Sequence, residues 1–122
     1  MEADGFRVLN RTRNSCIAEN GRRADTLFSR LRGLMGLPLS AFVEGSALWI
    51  VPSEGIHTFG MRFPIDALYL DGKGKVLRVY HGLRPWRLAA ISLRTRSVLE
   101  LPAGTLKRTG TEPGDVLEFV KK

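Results

Sequence analysis

Pro64-Ile-Asp-Ala-Leu-Tyr-Leu-Asp-Gly-Lys-Gly-Lys-Val-Leu-Arg-Val79 is the stretch whose reading decides the fold. Ile65 and Ala67 to Leu70 are almost continuously apolar, which is the pattern of a strand covered on both faces. Asp71-Gly-Lys-Gly74 carries turn chemistry, and Lys75 to Val79 reads as the returning strand. A hairpin buried on both sides needs other elements above and below it. The rest of the chain supplies them as short strands separated by Gly, Pro, Asn and Asp.

Upstream, Gly55-Ile-His-Thr-Phe-Gly-Met-Arg-Phe-Pro64 places His57, Thr58, Met61 and Arg62 among residues that break regular structure. Before it, Ala47-Leu-Trp-Ile-Val-Pro52 is an apolar strand, in which Trp49 reads as core. Phe6 to Leu9 and Ser15 to Ala18 form two short strands of a hairpin, followed by Arg22-Arg23 in a polar connection. Asp25 is placed to cap a helix over 26–35, with Leu27, Phe28, Leu31, Leu34 and Met35 at helical spacing, and Gly36 and Pro38 stop it. Downstream, residues 81–96 are the least regular part, interrupted by Pro85. Ser97 to Leu101 is a strand, Thr105 to Thr109 a short turn or helix, and Val116 to Val120 the final strand. The fold class that follows is mainly β (α+β): an antiparallel β-sandwich or partly open barrel with one amphipathic helix near the N-terminus, in a single domain.

Ile56-His-Thr-Phe-Gly-Met-Arg-Phe-Pro-Ile-Asp66, preceded by Arg30-Leu-Arg-Gly-Leu-Met-Gly36 and followed by Leu99-Glu-Leu-Pro-Ala-Gly104 and Gly114-Asp115, resembles the family named Domain of Unknown Function one-nine-two. The four blocks stand in the family's order across about residues 24–120. The resemblance implies a compact, mainly β domain of sandwich type with one helix. It implies no activity, cofactor or substrate.

Composition sets the remaining bounds. The chain has 122 residues, 43% hydrophobic and 25% charged, which suits one folded core and not a disordered chain. Cys16, the single cysteine, excludes an internal disulfide and reads as a small strand residue. No apolar run is long enough for a signal or a membrane span, so the expectation is a cytoplasmic protein without membrane insertion. The net charge of +7 is polarised: residues 73–108 hold nine Lys or Arg against Glu100, while residues 38–72 hold Arg62 against four acids. A basic surface that favours anionic partners is expected.

The candidate site groups His57, Thr58, Arg62 and Asp66, with Arg30, Arg32 and Glu100 as neighbours. An arginine holds an anion through paired hydrogen bonds, and a histidine beside a carboxylate works as a general base. The favoured function is a binding or accessory module for an anionic small molecule at the His57 to Asp66 loop, with Arg62 on the anion and Asp66 orienting Arg62 or His57. One alternative is an RNA- or DNA-binding module using residues 73–108, with Trp86 stacking between Arg84 and Arg87. Another is a hydrolase using His57 with Asp66 or Glu100, although no nucleophile elbow, phosphate loop or metal-protease histidine pair is present. His57 and Met61, with His81, offer nitrogen and sulfur to copper, but Met61 between Phe59 and Phe63 reads as core, and no metal or cofactor is assigned. A membrane-surface role is disfavoured because residues 84–96 lack an extended amphipathic helix.

Overall fold

A computed structural model describes residues 5–122, except for the side chains of Leu27, Phe28 and Leu31. Seven strands form one curled sheet: β1 (Phe6–Asn10), β2 (Ser15–Ala24), β3 (Ser46–Ile50), β4 (Ile65–Leu70), β5 (Val76–Leu83), β6 (Ser97–Pro102) and β7 (Leu117–Lys121), in the spatial order β5-β4-β6-β3-β2-β1-β7. All neighbours are antiparallel except β2 and β3. The sheet curls until the start of one edge strand, β5, touches the start of the other, β7, without the two edges pairing along their length. Lys75 bridges Val116, the Val76 amide donates to the Asp115 carbonyl at 2.8 Å, and the Leu117 amide donates to the Gly74 carbonyl at 2.9 Å. Gly74 permits this approach, since its φ is +82° and a Cβ there would lie 2.7 Å from the Leu117 carbonyl oxygen. The architecture is therefore a half-barrel, and of the two forms expected the sandwich is corrected.

The hairpin that decides the fold is as expected. Every residue of β4 is buried, and Asp71 Oδ1 accepts from the Lys73 and Lys75 amides, donors that hold its carboxyl below the usual range. Two cores lie on the two faces of the sheet. Inside the curl, Leu68, Leu70, Leu99 and Leu101 pack with Phe6, Val8, Ile17 and Leu106. On the other face, Leu48, Ile50, Ile65, Ala67, Tyr69 and Val98 are covered by Leu34, Phe42, Ile56, Met61, Phe63 and Ala89. This cover comes from the connections, not from a second sheet.

Two expectations about local structure need correction. Arg22 and Arg23 lie within β2, not in a connection, because the parallel pairing with β3 extends β2 to Ala24. Arg23 stacks its guanidinium over Trp49 at 5.1 Å. The helix packed on the sheet is near the C-terminus, not the N-terminus: α2 (Thr105–Thr109) buries Leu106. The N-terminal segment forms only six helical residues, α1 (Leu27–Arg32), capped by Thr26 instead of Asp25. The Thr26 hydroxyl accepts from the Ser29 amide and the Ser29 hydroxyl accepts from the Thr26 amide. Leu34 beyond its end is buried, whereas the expected apolar face of Leu27, Phe28 and Leu31 lies outside the described side chains.

Candidate functional site

The register separates the two buried acids of the expected site. Cross-strand partners share a face of a sheet. Glu100 on β6 pairs with Leu48 on one side and Ala67 on the other, so it lies on the face covered by the connections. Asp66 pairs with Leu101 and faces the inside of the curl. The two carboxylates stand on opposite faces and cannot serve one site.

Asp66 is consumed by the fold. Its Oδ1 accepts from the Gly82 amide at 2.8 Å, and its Oδ2 accepts from the amides of Gly104 and Leu106 at 3.1 and 2.9 Å. The carboxylate ties the far end of β5 and the start of α2 to β4. The expected orientation of Arg62 by Asp66 is not seen: the two form no ion pair, and Arg62 is exposed. Thr58 is likewise structural: its hydroxyl donates to the Arg84 carbonyl at 2.6 Å and accepts from the Arg87 amide at 2.8 Å.

Glu100 is the opposite case. Its neighbours across the sheet are apolar, it is 2% exposed, and Oε1 has no hydrogen-bond partner. Burial pushes its carboxyl up to about 8, so the neutral acid dominates at pH 7. Glu100 nevertheless lines a cavity of about 200 Å³, together with Arg30, Arg32, His57, Met61 and Phe59. That space suits a compact molecule. Gly33, just past α1, lies over the acid, where a Cβ would stand 3.9 Å from Oε1.

His57 sits at the cavity with a defined ring orientation. Its Nδ1 accepts from the Phe59 amide at 3.1 Å, so the neutral imidazole carries its proton on Nε2. The ring stacks on Phe59 with centroids 4.8 Å apart. Arg30 donates through Nη1 to the Asp25 carbonyl at 2.9 Å, and neither Arg30 nor Arg32 forms an ion pair among the described residues. Four expected residues, His57, Arg30, Arg32 and Glu100, thus converge. Thr58, Arg62 and Asp66 do not.

Of the softer ligands, His57 and Met61 both line the cavity and His81 does not. Met61 is core as well as cavity wall, His81 is exposed on β5, and no group of three or more His, Cys, Asp or Glu has metal-binding geometry among the described residues. Cys16 on β2 donates to Glu19, and burial followed by that acid raises its thiol, which makes it a poor nucleophile. Sequence reasoning missed the clamp that orders residues 84–92. Tyr69 donates to the Ala90 carbonyl at 2.5 Å, and the Ala90 amide donates to the Tyr80 hydroxyl at 3.0 Å. Burial, followed by the neighbouring Tyr80, pushes the Tyr69 hydroxyl up to about 12, so it remains a donor.

These features define a mainly β half-barrel with a small cavity over one face of its sheet. Comparison with known proteins places it further. Residues 10–119 match the model of the DUF192 family, described as an uncharacterised ACR, and the chain belongs to that family. It is 31% identical to a UPF0127 protein of Thermococcus sibiricus over 92% of this chain and 73% of that protein. Its fold is similar to a protein of unknown function from Novosphingobium aromaticivorans, with a TM-score of 0.77 and 18% identity over 93% of this chain and 83% of that one. A proposed transcription regulator from Sinorhizobium meliloti gives a TM-score of 0.76 and 24% identity over 94% and 92% of the two chains.

Proposed function

We propose that the cavity over β6 binds a compact anionic molecule. The observation that carries this reading is Glu100: a buried acid without a partner, lining a cavity whose wall also holds Arg30 and Arg32. Buried polar groups are ordinarily satisfied, and an exception needs a specific explanation; at Glu100, which lines a cavity, that explanation is a partner entering the cavity. In its neutral form Glu100 donates one hydrogen bond, the two guanidiniums attract the charge, and Nε2 of His57 donates a further bond. The ligand class is an anion bearing a hydrogen-bond acceptor on its far side, such as a small carboxylate or phosphate ester. Arg62, Thr58 and Asp66 have no part in it.

A thermal-shift titration with a panel of short carboxylates and phosphate monoesters tests the reading. A ligand at one hundred times its Kd adds about 2.7 kcal/mol, which raises Tm by roughly 10 °C for a chain of this size. The shift should survive in Glu100→Gln, which keeps a neutral donor, and vanish in Glu100→Leu and Arg32→Ala. A panel that moves no melting temperature, or shifts that persist in Glu100→Leu, would refute it. Because His57 and Glu100 share the cavity, acid–base catalysis is the second reading. It requires turnover of a bound compound that His57→Gln abolishes without weakening binding.

A further inference from the structure

We propose that the surface formed by residues 86–94 docks the protein onto an anionic lipid bilayer. Trp86, Leu88, Ile91 and Leu93 are 66%, 72%, 72% and 79% exposed, a concentration of large apolar side chains in eight residues that a water-facing surface does not call for. Arg84, Arg87, Arg94 and Arg96 are interleaved with or flank them, all four are exposed, and no acidic residue occurs between Asp71 and Glu100. None of the four arginines forms an ion pair among the described residues.

The backbone beneath these side chains is anchored. The Thr58 and Ala89 amides donate to the Arg87 and Ile56 carbonyls, Ser92 donates to Glu54, and Tyr69 and Tyr80 hold Ala90. Ala89 packs inward. The apolar residues are therefore turned outward by an ordered segment. Trp86 adopts φ +64°, a left-handed conformation unfavourable for a bulky residue, between Arg84, whose carbonyl accepts from the Thr58 hydroxyl, and Arg87, whose amide donates to it. Trp86 stacks on the half-exposed Phe59, with centroids 6.1 Å apart. Leu88 is the bridge partner of His57, so the exposed leucine adjoins the histidine at the cavity.

The chemistry selects the partner. Single-stranded nucleic acid offers phosphates to the arginines and a base to Trp86, but Leu88, Ile91 and Leu93 have nothing to gain from it. An anionic bilayer accommodates all three kinds of group: aliphatic side chains in the acyl region, Trp86 and Phe59 at the interface, and guanidiniums on the lipid phosphates. No amphipathic helix is needed, since an anchored extended segment presents the same two chemistries. Among the described residues no helix is long and apolar enough to cross a membrane, and the contact is with the surface.

The test is cosedimentation of the full chain with vesicles of phosphatidylglycerol and phosphatidylcholine in equal parts, against phosphatidylcholine alone, at about 0.1 M salt. Binding to the anionic vesicles is expected. Ile91→Ser with Leu93→Ser should weaken it about one-hundredfold, and Arg87→Ala with Arg94→Ala about twenty-five-fold. Melting temperatures should hold in both, because the side chains are on the surface. Wild-type protein that stays in the supernatant overturns the proposal, as does a serine variant that pellets like wild type. If vesicles fail while a single-stranded RNA oligonucleotide binds and is lost only in Trp86→Ala, the surface belongs to nucleic acid.

Discussion

Replacing Glu100 by glutamine should make the protein more stable at neutral pH. The carboxyl has its ordinary value of 4.5 in the unfolded chain and about 8 in the folded one. At 1.36 kcal/mol for each tenfold, the folded state is penalised by about 5 kcal/mol when Glu100 is fully ionised, and by about 3 kcal/mol at pH 7. The direction follows from proton binding. Below pH 4.5 the group is protonated in both states and costs nothing extra. As pH rises towards 8 the unfolded chain releases the proton and the folded one retains it, so stability is lost over that interval and levels off above it. Glutamine matches the neutral acid in size and never ionises. Urea unfolding of both proteins at pH 4, 7 and 9 should therefore give equal stabilities at pH 4. The variant should lead by about 3 kcal/mol at pH 7 and about 5 kcal/mol at pH 9. A difference that is constant across the three values would refute the assignment of a neutral, desolvated Glu100. So would a wild type that is the more stable at pH 9.

Three further substitutions probe the elements that shape the site. Asp66→Ala strands the amides of Gly82, Gly104 and Leu106, and should cost about 4 kcal/mol, lowering Tm by roughly 15 °C in calorimetry. Thr58→Val keeps the shape but removes the hydroxyl that joins Arg84 to Arg87, and should cost about 1–2 kcal/mol with faster amide exchange at Trp86 and Arg87. Gly55→Ala sets a Cβ 2.6 Å from the Ala90 carbonyl oxygen, a contact with backbone that cannot swing away, and should cost about 1–3 kcal/mol by chemical denaturation.

The extent to which the sequence disclosed this molecule differs between fold and site for definable reasons. Strands and turns were legible because their signals are local: the apolar run of β4, the Asp71 to Gly74 turn and the alternation in β7 depend on neighbours in the chain. What was not legible depended on pairing. Arg22 and Arg23 are polar and read as connection, but parallel pairing with β3 makes them strand, with Arg23 over Trp49. The single curled sheet could not be told from two packed sheets, because loops covering one face impose the same burial pattern as a second sheet. At the site, Arg30, Arg32, His57 and Glu100 were legible as chemistry-bearing residues in separate blocks. Grouping Asp66 and Arg62 with His57 relied on nearness in sequence, and the register places Asp66 on the other face. The period-2 alternation of β6 did carry a signal. Glu100 falls in phase with Val98, a buried position between Leu99 and Leu101, where an acid has no ordinary structural use.

The contrast between the two acids bears on why Glu100 is there. Asp66 and Glu100 stand on adjacent paired strands, one register step apart, and both are almost completely buried. The fold gives Asp66 three amide donors from two separate elements, so backbone donors can be brought to a carboxylate in this part of the sheet. It gives Oε1 of Glu100 none, and sets Leu48 and Ala67 beside it. A residue kept for stability at that position would be apolar, since hydrophobic replacement of an unsatisfied buried acid is neutral or stabilising. The acid therefore costs stability in the empty protein, and under the function proposed above that cost is offset when a ligand in the cavity takes up its hydrogen bond. Glu100→Leu separates these terms: it should raise the stability of the unliganded protein while abolishing any gain from ligand. A leucine variant that is less stable than wild type at pH 9 would show instead that Glu100 contributes to the fold itself.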